Sequence, residues 1–315
     1  MINIGVIGAG HFGKEHARVY SALASANLVA ICDTDEDTGR SRAESLNVGF
    51  ERDFRRLIGK VDAVSLAVPT DSHHSVACEL IEAGVCVLVE KPIARSLKEA
   101  DEMIALAGRH GVVLQVGHLE RFNPAVIAAT KIVTSPAFFE GDRLSVFTPR
   151  SLDIDVVMDL MIHDIDVVIS LVRQPVAEIR ASGVPVITPR IDIANARIEF
   201  ANGCVANLTA SRVSAERIRK LRFFQPNEYV SVDYSAQEAA MVSIERSNSA
   251  PLPQFNSRLL SAERHEPLEL EIQSFLAAVA GAPVEITGQD GRNALEVALA
   301  VTDKINENLR QMHAR

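Results

Sequence analysis

The sequence contains no tryptophan, few aromatic residues of any kind, and no basic stripe of the kind that binds phosphate backbones or anionic lipids. Aromatic side chains make up 5% of the 315 residues, and the net charge of −9 arises from interspersed acids and bases. Stacking of nucleic-acid bases needs aromatic platforms, and binding of phosphate backbones or anionic lipids needs a basic surface. We therefore expect neither nucleic acid nor a membrane surface as a partner.

Cysteine is also scarce, and no apolar run approaches the length of a membrane span. The four cysteines, Cys32, Cys78, Cys86 and Cys204, are isolated and form no Cys-x-x-Cys motif. This spacing predicts reduced thiols rather than disulfides or a zinc site, and we expect no metal. The N-terminal apolar run has no basic segment before it and is interrupted by glycines, unlike a signal peptide. These features predict a cytoplasmic protein.

The first part of the chain has the periodicity of an α/β domain. Short apolar runs alternate with longer segments of helical pattern, which predicts a doubly wound parallel sheet covered on both faces. The predicted strands are Ile2–Ile7, Leu28–Cys32, Ala63–Ala67, Val85–Val89 and Val112–Val116, and the predicted helices are His11–Ala24, Asp37–Leu46, His73–Ala83 and Leu97–Arg109.

The pattern changes near residue 120, where we place a domain boundary between 1–120 and 121–315. Asn123 and Pro124 have the order of an N-cap and a first helical residue, and 155–173 reads as a second helix. Segments between Val176 and about Val242 alternate at the period of strands, which predicts an antiparallel sheet. Two helices, 268–279 and 291–309, are predicted at the C-terminal end and can pack back on the first domain.

A glycine-rich turn follows the first predicted strand and opens the first predicted helix. Its sequence is Gly8-Ala9-Gly10-His11-Phe12-Gly13. In such a turn the first glycine permits the tight bend, the second lets a pyrophosphate approach the backbone, and the third allows close helix–strand packing. We predict that Gly8, Gly10, His11, Phe12 and Gly13 contact the phosphates of a dinucleotide at the helix N-terminus.

Asp33 ends the second predicted strand, at the position where an acidic residue binds the ribose of NAD. It opens the acidic stretch Asp33-Thr34-Asp35-Glu36-Asp37, and no arginine follows it directly. A carboxylate there accepts hydrogen bonds from ribose hydroxyls and repels a 2′-phosphate. The sequence therefore predicts NAD as the cofactor in preference to NADP. The alternative is a purely structural turn with Asp33 as a loop acid.

Three segments together, one of which is this nucleotide turn, resemble the Gfo/Idh/MocA oxidoreductases. These are the nucleotide turn, the stretch VPTDSHHSVACELIEAGVCVLVEKP that ends in Glu90-Lys91-Pro92, and the helix DLMIHDIDVV with Asp159 and His163. The resemblance covers nearly the whole chain. It implies an N-terminal Rossmann domain and a C-terminal α/β domain with an open, mostly antiparallel sheet, which in relatives often forms dimers or tetramers. It also implies a homodimer or homotetramer here.

The same resemblance assigns roles to individual residues. Lys91 matches the family's active-site lysine, and Asp159 and His163 match its Asp-x-x-x-His pair. The resemblance also places Pro69, Thr70, His73, Glu90 and Lys91 against the cofactor. It further implies a Lys91–Pro92 peptide bond in the cis form, and we expect Glu90 to pair with a neighbouring basic group.

The chemistry of these residues suits oxidation of a secondary alcohol. Hydride passes to the nicotinamide while a base takes the hydroxyl proton, and a histidine that titrates near neutrality suits that step. Lys91 can stabilise the developing negative charge on the alcohol oxygen or act as the base itself. The sequence leaves open whether His163 or Lys91 takes the proton, and an Asp–His pair at this spacing is in other contexts usually a surface pair. Asp164 and Asp166 are read as solvated or capping residues.

The segment Gly117–Pro124, GHLERFNP, is similar to one in the nucleotide-sugar branch of the family. That similarity implies a UDP-sugar substrate, with the 3-hydroxyl of UDP-N-acetylglucosamine or its uronic acid as the oxidised group. His118, Arg121 and Asn123 join Lys91, Asp159 and His163 as predicted substrate contacts, although Asn123 can equally be a helix cap. Arg150, Arg212 and Lys220 are weaker candidates for a diphosphate.

Two other functions remain open at the level of sequence. One is a dehydrogenase of free sugars or inositols, and the other is a non-catalytic NAD-binding regulator. The presence of Lys91, Asp159 and His163 together counts against the regulator.

Overall fold

The computed structural model describes residues 1–148, 154–245, 252–260 and 264–313. The chain divides into two compact units. The first unit comprises residues 1–119 and 266–295, and the second comprises 120–265 and 296–315. Among the described residues, no helix has both the length and the apolar character needed to cross a bilayer.

The first unit is built on a parallel sheet, as the sequence predicted. Its strand order is 3-2-1-4-5-6, with every neighbouring pair parallel. This is the Rossmann order, in which successive strands are added on one side of β1 up to β3 and then on its other side from β4 onward, and ligands collect at the carboxyl ends of the strands near this switch. The strands are β1 (Ile2–Ile7), β2 (Ala26–Cys32), β3 (Gly49–Glu51), β4 (Ala63–Leu66), β5 (Cys86–Glu90) and β6 (Leu114–Gly117). The short strand β3 was not predicted, because it offers too few residues for a pattern.

Helices complete this unit, and one comes from the far end of the sequence. The helix α7 contributes Leu268, Ile272 and Phe275 to the same core as Ile4 and Tyr20. Since α7 carries apolar residues at helical spacing, it needs such a core to bury them. The helices of the unit are α1 (His11–Ala22), α2 (Glu36–Leu46), α3 (His73–Glu82), α4 (Leu97–His110) and α7 (Pro267–Val279).

The second unit contains an eight-stranded sheet in the order β14-β13-β12-β11-β7-β10-β9-β8. Only β7 and β10 pair in parallel, which confirms the predicted mostly antiparallel sheet. The strands β7 and β14 were not predicted. The strands are β7 (Phe138–Leu144), β8 (Val176–Val184), β9 (Ile193–Phe200), β10 (Val205–Ser211), β11 (Ile218–Gln225), β12 (Glu228–Asp233), β13 (Glu238–Glu245) and β14 (Gln254–Leu260).

The helices of the second unit include a departure from the predicted continuous helix over 155–173. A π-helical turn spans Val157–Met161 and leads directly into α6 (Ile162–Val172). The α6 helix ends at Arg173, which adopts a left-handed conformation with φ of 53° ahead of Pro175. The unit also contains α5 (Pro124–Thr130), and α8 (Gly288–His313) begins in residues of the first unit and ends in those of the second.

Candidate active site

The turn between β1 and α1 has the geometry that its glycines predict. A Cβ on Gly8, which has φ of +94°, would lie 2.5 Å from the Ala67 carbonyl oxygen, and a Cβ on Gly13 would lie 1.7 Å from that of Gly8. Around Gly10, by contrast, no atom of the described residues other than Gly10 and its chain neighbours lies within 4 Å of the position a Cβ would take. The first and third glycines are therefore required by backbone packing, while the second leaves the turn open to a ligand.

The N-terminus of α1 is suited to hold an anion. The helix has no side-chain cap at Gly10 and no acidic residue in its first turn. Its first N–H groups and the positive end of the helix dipole consequently face the open turn without a carboxylate from the helix's own first turn. His11 and Phe12 are exposed there, with ring centroids 5.5 Å apart. Their contact with the cofactor stays a prediction.

Asp33 lies directly beside this turn. One carboxylate oxygen accepts a hydrogen bond from the Ala9 N–H at 2.5 Å, and the other accepts from the Asp35 N–H at 2.8 Å. Each carboxylate oxygen has further acceptor capacity, so both remain able to accept from ribose hydroxyls. The fold thus brings the predicted ribose-binding acid to the predicted phosphate-binding turn.

The cofactor contact of His73 stays a prediction, and its ring is held between two loops of the first unit. Its side chain is buried, and its two ring nitrogens lie 2.9 Å from the Val68 carbonyl oxygen and 3.0 Å from that of Pro92. Burial lowers the pKa of His73, which favours the neutral ring, and a neutral ring donates to only one of the two carbonyl oxygens. His73 therefore lies between the loop after β4 and the loop after β5, and the exposed Pro69 and half-buried Thr70 are carried on the first of these loops.

The Glu90 side chain holds the turn Glu90-Lys91-Pro92, which we call the Lys91 turn. The Nε2 atom of His16 lies 2.9 Å from a Glu90 oxygen, and the Lys91 N–H donates to the other oxygen at 3.3 Å. Burial pushes the pKa of Glu90 up, but the hydrogen bond from His16 and the charges of His16 and Lys91 outweigh it and leave the pKa lowered. The Lys91–Pro92 bond is cis. Both the expected basic partner of Glu90 and the expected cis proline are thus confirmed.

Sequence analysis missed His16 as that partner. His16 lies on α1 and is fully buried, with its Nδ1 atom 3.0 Å from the Ser65 hydroxyl. The available signal was a histidine on the same helix face as the apolar Val19 and Tyr20, where an ionisable group needs a partner.

The predicted pair Asp159 and His163 lies in the second unit. Both residues are half-buried, and they belong to two different kinds of helical turn. Asp159 belongs to the π-helical turn, and His163 lies in the first turn of α6. A π-helical turn places one more residue in each hydrogen-bonded ring than an α-helix and occurs frequently at functional sites. The relative direction of the two side chains is therefore set by the π–α junction, which sequence spacing does not reveal.

The interpretation of Asp164 and Asp166 as solvated or capping residues is wrong. Each is only 2% exposed. Asp164 accepts two hydrogen bonds from Arg143, both 2.9 Å, and Asp166 accepts two from Arg121, both 3.0 Å. Such two-pronged pairs fix position as well as charge, so these carboxylates tie α6 to its surroundings. Two of the Arg121 donors serve this pair, and a contact of Arg121 with substrate stays a prediction.

The neighbouring Arg143 is the centre of a buried ionic cluster. It also donates to Glu120 at 2.9 Å, and its guanidinium lies 4.8 Å from the centroid of the Tyr234 ring. Burial acts to lower the pKa of Arg143, but the charges of Asp164 and Glu120 outweigh it and raise the pKa well above its ordinary value. The arginine therefore stays charged in a buried site.

Asn123 is a helix cap, which resolves the alternative left open by the sequence. Its side-chain oxygen accepts from the Ala125 N–H at 3.1 Å, and its amide donates to Glu120 at 3.1 Å and to the Tyr234 carbonyl at 3.0 Å. With 2% exposure, it has no surface left for a substrate. His118, which follows β6, is also buried, and its proposed substrate contact remains untested.

The weaker basic candidates divide between internal and surface roles. Arg212 is buried and donates to the Ile154 carbonyl at 2.6 Å, so it serves the second unit's own structure. Lys220 is exposed and lies 3.5 Å from Asp233. Arg150 lies outside the described residues.

Comparisons with known proteins agree with this arrangement. The family model described as "Oxidoreductase family, NAD-binding Rossmann fold" matches residues 2–118, and the GFO/IDH/MocA C-terminal domain matches residues 133–225. An NAD-linked scyllo-inositol 2-dehydrogenase from Bacillus subtilis is 26% identical over 98% of this chain and 95% of its own length. A structure of levoglucosan dehydrogenase with NADH and levoglucosan has the same fold, with a TM-score of 0.87 at 20% identity over 97% of each chain.

A nearer relative is a UDP-N-acetylglucosamine 3-dehydrogenase from Acidithiobacillus ferrooxidans. It is 37% identical over 299 residues, which cover 94% of this chain and 95% of the relative. Its solved structure superimposes with a TM-score of 0.90 and covers 96% of this chain and 97% of that one at 36% identity. On these matches the chain belongs to the Gfo/Idh/MocA family of oxidoreductases, and its first unit carries that family's NAD-binding Rossmann domain.

Proposed function

We propose that this protein is an NAD-dependent dehydrogenase that oxidises the 3-hydroxyl of UDP-N-acetylglucosamine, or of a related UDP-sugar, to a ketone. The observation that carries the proposal is the 37% identity, over nearly the full length of both chains, to a relative named for that reaction. The open glycine turn with Asp33 beside it supports NAD as the hydride acceptor. The Glu90-anchored lysine at the end of β5 supports a dehydrogenase.

The proposed chemistry assigns the reaction to Lys91, Asp159 and His163. The carbon-bound hydrogen leaves as hydride to the nicotinamide of NAD, and the hydroxyl proton leaves to His163 or Lys91, so that the products are a keto sugar, NADH and a proton. Lys91 donates a hydrogen bond to the alcohol oxygen as negative charge develops on it. Asp159 orients the imidazole and stabilises its charged form. His118 and Arg121 are proposed contacts for the rest of the substrate.

The test is NADH formation, followed by absorbance, with UDP-N-acetylglucosamine, free N-acetylglucosamine and myo-inositol as substrates. NAD and NADP are compared, and an aminotransferase that consumes the ketone draws an unfavourable equilibrium forward. We expect kcat/KM for the UDP-sugar to exceed that for the free sugar at least about 100-fold, because binding energy from the diphosphate is lost with the free sugar.

Two other results would contradict the proposal. Faster turnover of inositol would favour the second candidate, a polyol dehydrogenase, which the 26% identity to the scyllo-inositol enzyme supports. NAD binding without turnover of any substrate would indicate a regulator.

We also propose that the protein acts in the cytoplasm as a homodimer or homotetramer. The strand β14 lies at the edge of the second sheet and exposes Phe255 and Leu259 at 67% and 75%, with Leu252 at 75% just before it. Large apolar groups on an open sheet edge are normally covered by a partner strand or surface. The occupant proposed here is a second copy of the chain.

Sedimentation velocity tests this assembly. We expect a dimer or tetramer for the wild-type protein and a shift towards the monomer for Phe255→Asp. The exposed Phe12→Asp, in the first unit, serves as the matched control. A wild-type monomer at micromolar concentration would contradict the proposal.

A further inference from the structure

A group of three buried ionisable side chains lies behind the Lys91 turn. His16 comes from α1, Glu90 from the end of β5 and Glu271 from α7, and one polar atom of each lies within 4.8 Å of the other two. His16 and Glu271 are fully buried. We call these three residues the buried carboxyl cluster. None of the dehydrogenase chemistry above uses Glu271.

The hydrogen bonds on one side of the cluster form an ordered series. The Tyr20 hydroxyl lies 2.9 Å from the Ser65 hydroxyl, which lies 3.0 Å from Nδ1 of His16, and Nε2 of His16 lies 2.9 Å from Glu90. If each hydroxyl donates once towards His16, the Ser65 hydroxyl donates to Nδ1 of His16 and its Nε2–H donates to Glu90. The series ends on Glu90, whose other oxygen accepts from the Lys91 N–H. An ionised Glu90 satisfies every donor that points at it.

Glu271 has the opposite environment. Both of its carboxyl oxygens are buried and make no hydrogen bond within the described residues, and the Gln115 amide donates at 3.3 Å to the backbone carbonyl of Glu271 rather than to its side chain. An ionised carboxylate in such a site has lost its water and gained no donor. Burial raises the pKa of Glu271 well above its ordinary value, and the charge of Glu90 raises it further.

Among the described residues, none of the polar groups around the cluster donates a hydrogen bond to a Glu271 carboxyl oxygen. The groups that face it are Tyr20 and His16 from α1, Ser65 from β4, Glu90 and Lys91 from β5 and the turn after it, His73 from α3 and Gln115 from β6. Among them, the Lys91 backbone and the His16 ring are already directed to Glu90.

We propose that Glu271 is a positioning residue that holds a proton in the buried carboxyl cluster, so that Glu90 alone carries the negative charge that orients His16 and the Lys91 turn. When Glu271 loses this proton, a second negative charge enters the cluster and competes for the His16 Nε2–H. Glu90 then loses its fixed orientation, and Lys91 loses its anchor. The effect on catalysis rests on the proposed function, whereas the effect on stability does not.

Stability as a function of pH tests the protonation state without any substrate. Between its ordinary pKa of 4.5 and its raised pKa, Glu271 is protonated in the folded protein and ionised in the unfolded chain, so folding stability falls as pH rises. Glu271→Gln keeps the shape and removes the titration. We expect its Tm to match wild type near pH 5 and to exceed it by at least about 2–4 °C near pH 9.

The matched control is Glu269→Gln, a half-buried position on the same helix whose carboxylate accepts a hydrogen bond from the Gln273 amide, for which no gain in Tm over wild type is expected near pH 9. A Glu271→Gln protein that is destabilised equally at acidic and alkaline pH would overturn the proposal, because it would show that the carboxylate is ionised and needed. A rise in wild-type Tm with Zn²⁺ that EDTA reverses and Glu271→Gln abolishes would also overturn it, in favour of a metal site.

Kinetics provide the second readout on the holoenzyme. Glu271→Ala is expected to lower kcat/KM on the order of tenfold, because truncation leaves a cavity beside His16 and Glu90, and Glu271→Gln is expected to restore most of that loss. In Glu271→Gln the alkaline decline of kcat/KM should also move to higher pH. Equal loss in both variants, with an unchanged pH profile, would contradict a proton-holding role. If no substrate is found, the proposed function fails while the Tm test still decides the inference.

Discussion

Replacing Lys91 with methionine is expected to lower kcat at least about 1000-fold while NAD still binds. The side chain loses the ammonium group that stabilises the alcohol oxygen, and the turn itself is held by other contacts. Glu90 accepts from the Lys91 backbone N–H, which methionine retains, and His73 joins the Val68 and Pro92 loops. The variant therefore removes the ammonium group and keeps the contacts that hold the turn, so that its effect on turnover is separated from any effect on structure. Steady-state turnover and NAD titration by fluorescence measure the two effects.

The control for this experiment is Lys98→Met, which removes a lysine from α4 in the same unit. Lys98 is 86% exposed and lies 3.8 Å from Glu102, so we expect turnover within about twofold of wild type. If Lys91→Met retains turnover within a few-fold, Lys91 is not catalytic.

A pH profile then separates the two candidate bases. If His163 takes the proton, His163→Asn should abolish the acidic limb of the kcat/KM profile, and Lys91→Met should keep it.

Replacing Arg143 with methionine is expected to cost about 3–5 kcal/mol in the free energy of unfolding. The substitution leaves Asp164 and Glu120 buried without the cation that each contacts at 2.9 Å. The loss should shrink at acidic pH, because a protonated carboxyl no longer carries an uncompensated charge. Urea unfolding followed by circular dichroism, at neutral and acidic pH, measures both effects.

Arg222→Met provides the matched control within the same sheet. Arg222 lies on β11, is 49% exposed and pairs with Glu140 at 2.6 Å, and an exposed pair of this kind contributes at most about 1 kcal/mol. A similar small loss for Arg143→Met would contradict the buried ionic cluster as a stabilising element. Because Asp164 immediately follows His163, we also expect Arg143→Met to reduce activity in the fraction of protein that remains folded.

Local sequence patterns were sufficient to predict a helix or strand wherever that element buries apolar residues at regular spacing. The strands β1 and β5 and the helices α1 and α4 agree with prediction to within one or two residues, because their apolar spacing alone selects one face or one core. The strand β7 was missed, since its sequence Phe-Phe-Glu-Gly-Asp-Arg-Leu places a charged residue, Arg143, at a buried position. Arg143 can occupy this buried position because the carboxylates of Asp164 and Glu120 contact it in the folded protein.

In the candidate site, too, the local motifs were predictable from the sequence and their distant partners were not. The glycine turn, Asp33 and the Glu90-Lys91-Pro92 turn were recognisable because each motif lies within a few residues of a strand end, where chain direction determines where side chains point. The partners of those motifs come from distant positions. Glu90 is paired with His16, which is 74 residues away in the sequence. A pattern among neighbouring residues cannot reveal a pair so far apart along the chain.

By itself, the sequence determined the family, the parallel and antiparallel sheets and the nucleotide turn of an NAD-binding domain. These depend on periodicity and on short motifs whose backbone requirements are local. Tertiary structure alone decided that Asn123 is a cap, that Asp164 and Asp166 are buried anchors, and that Glu271 faces Glu90. The protonation and pairing of a buried ionisable group depend on which charges and donors surround it, and those neighbours are brought together only by folding.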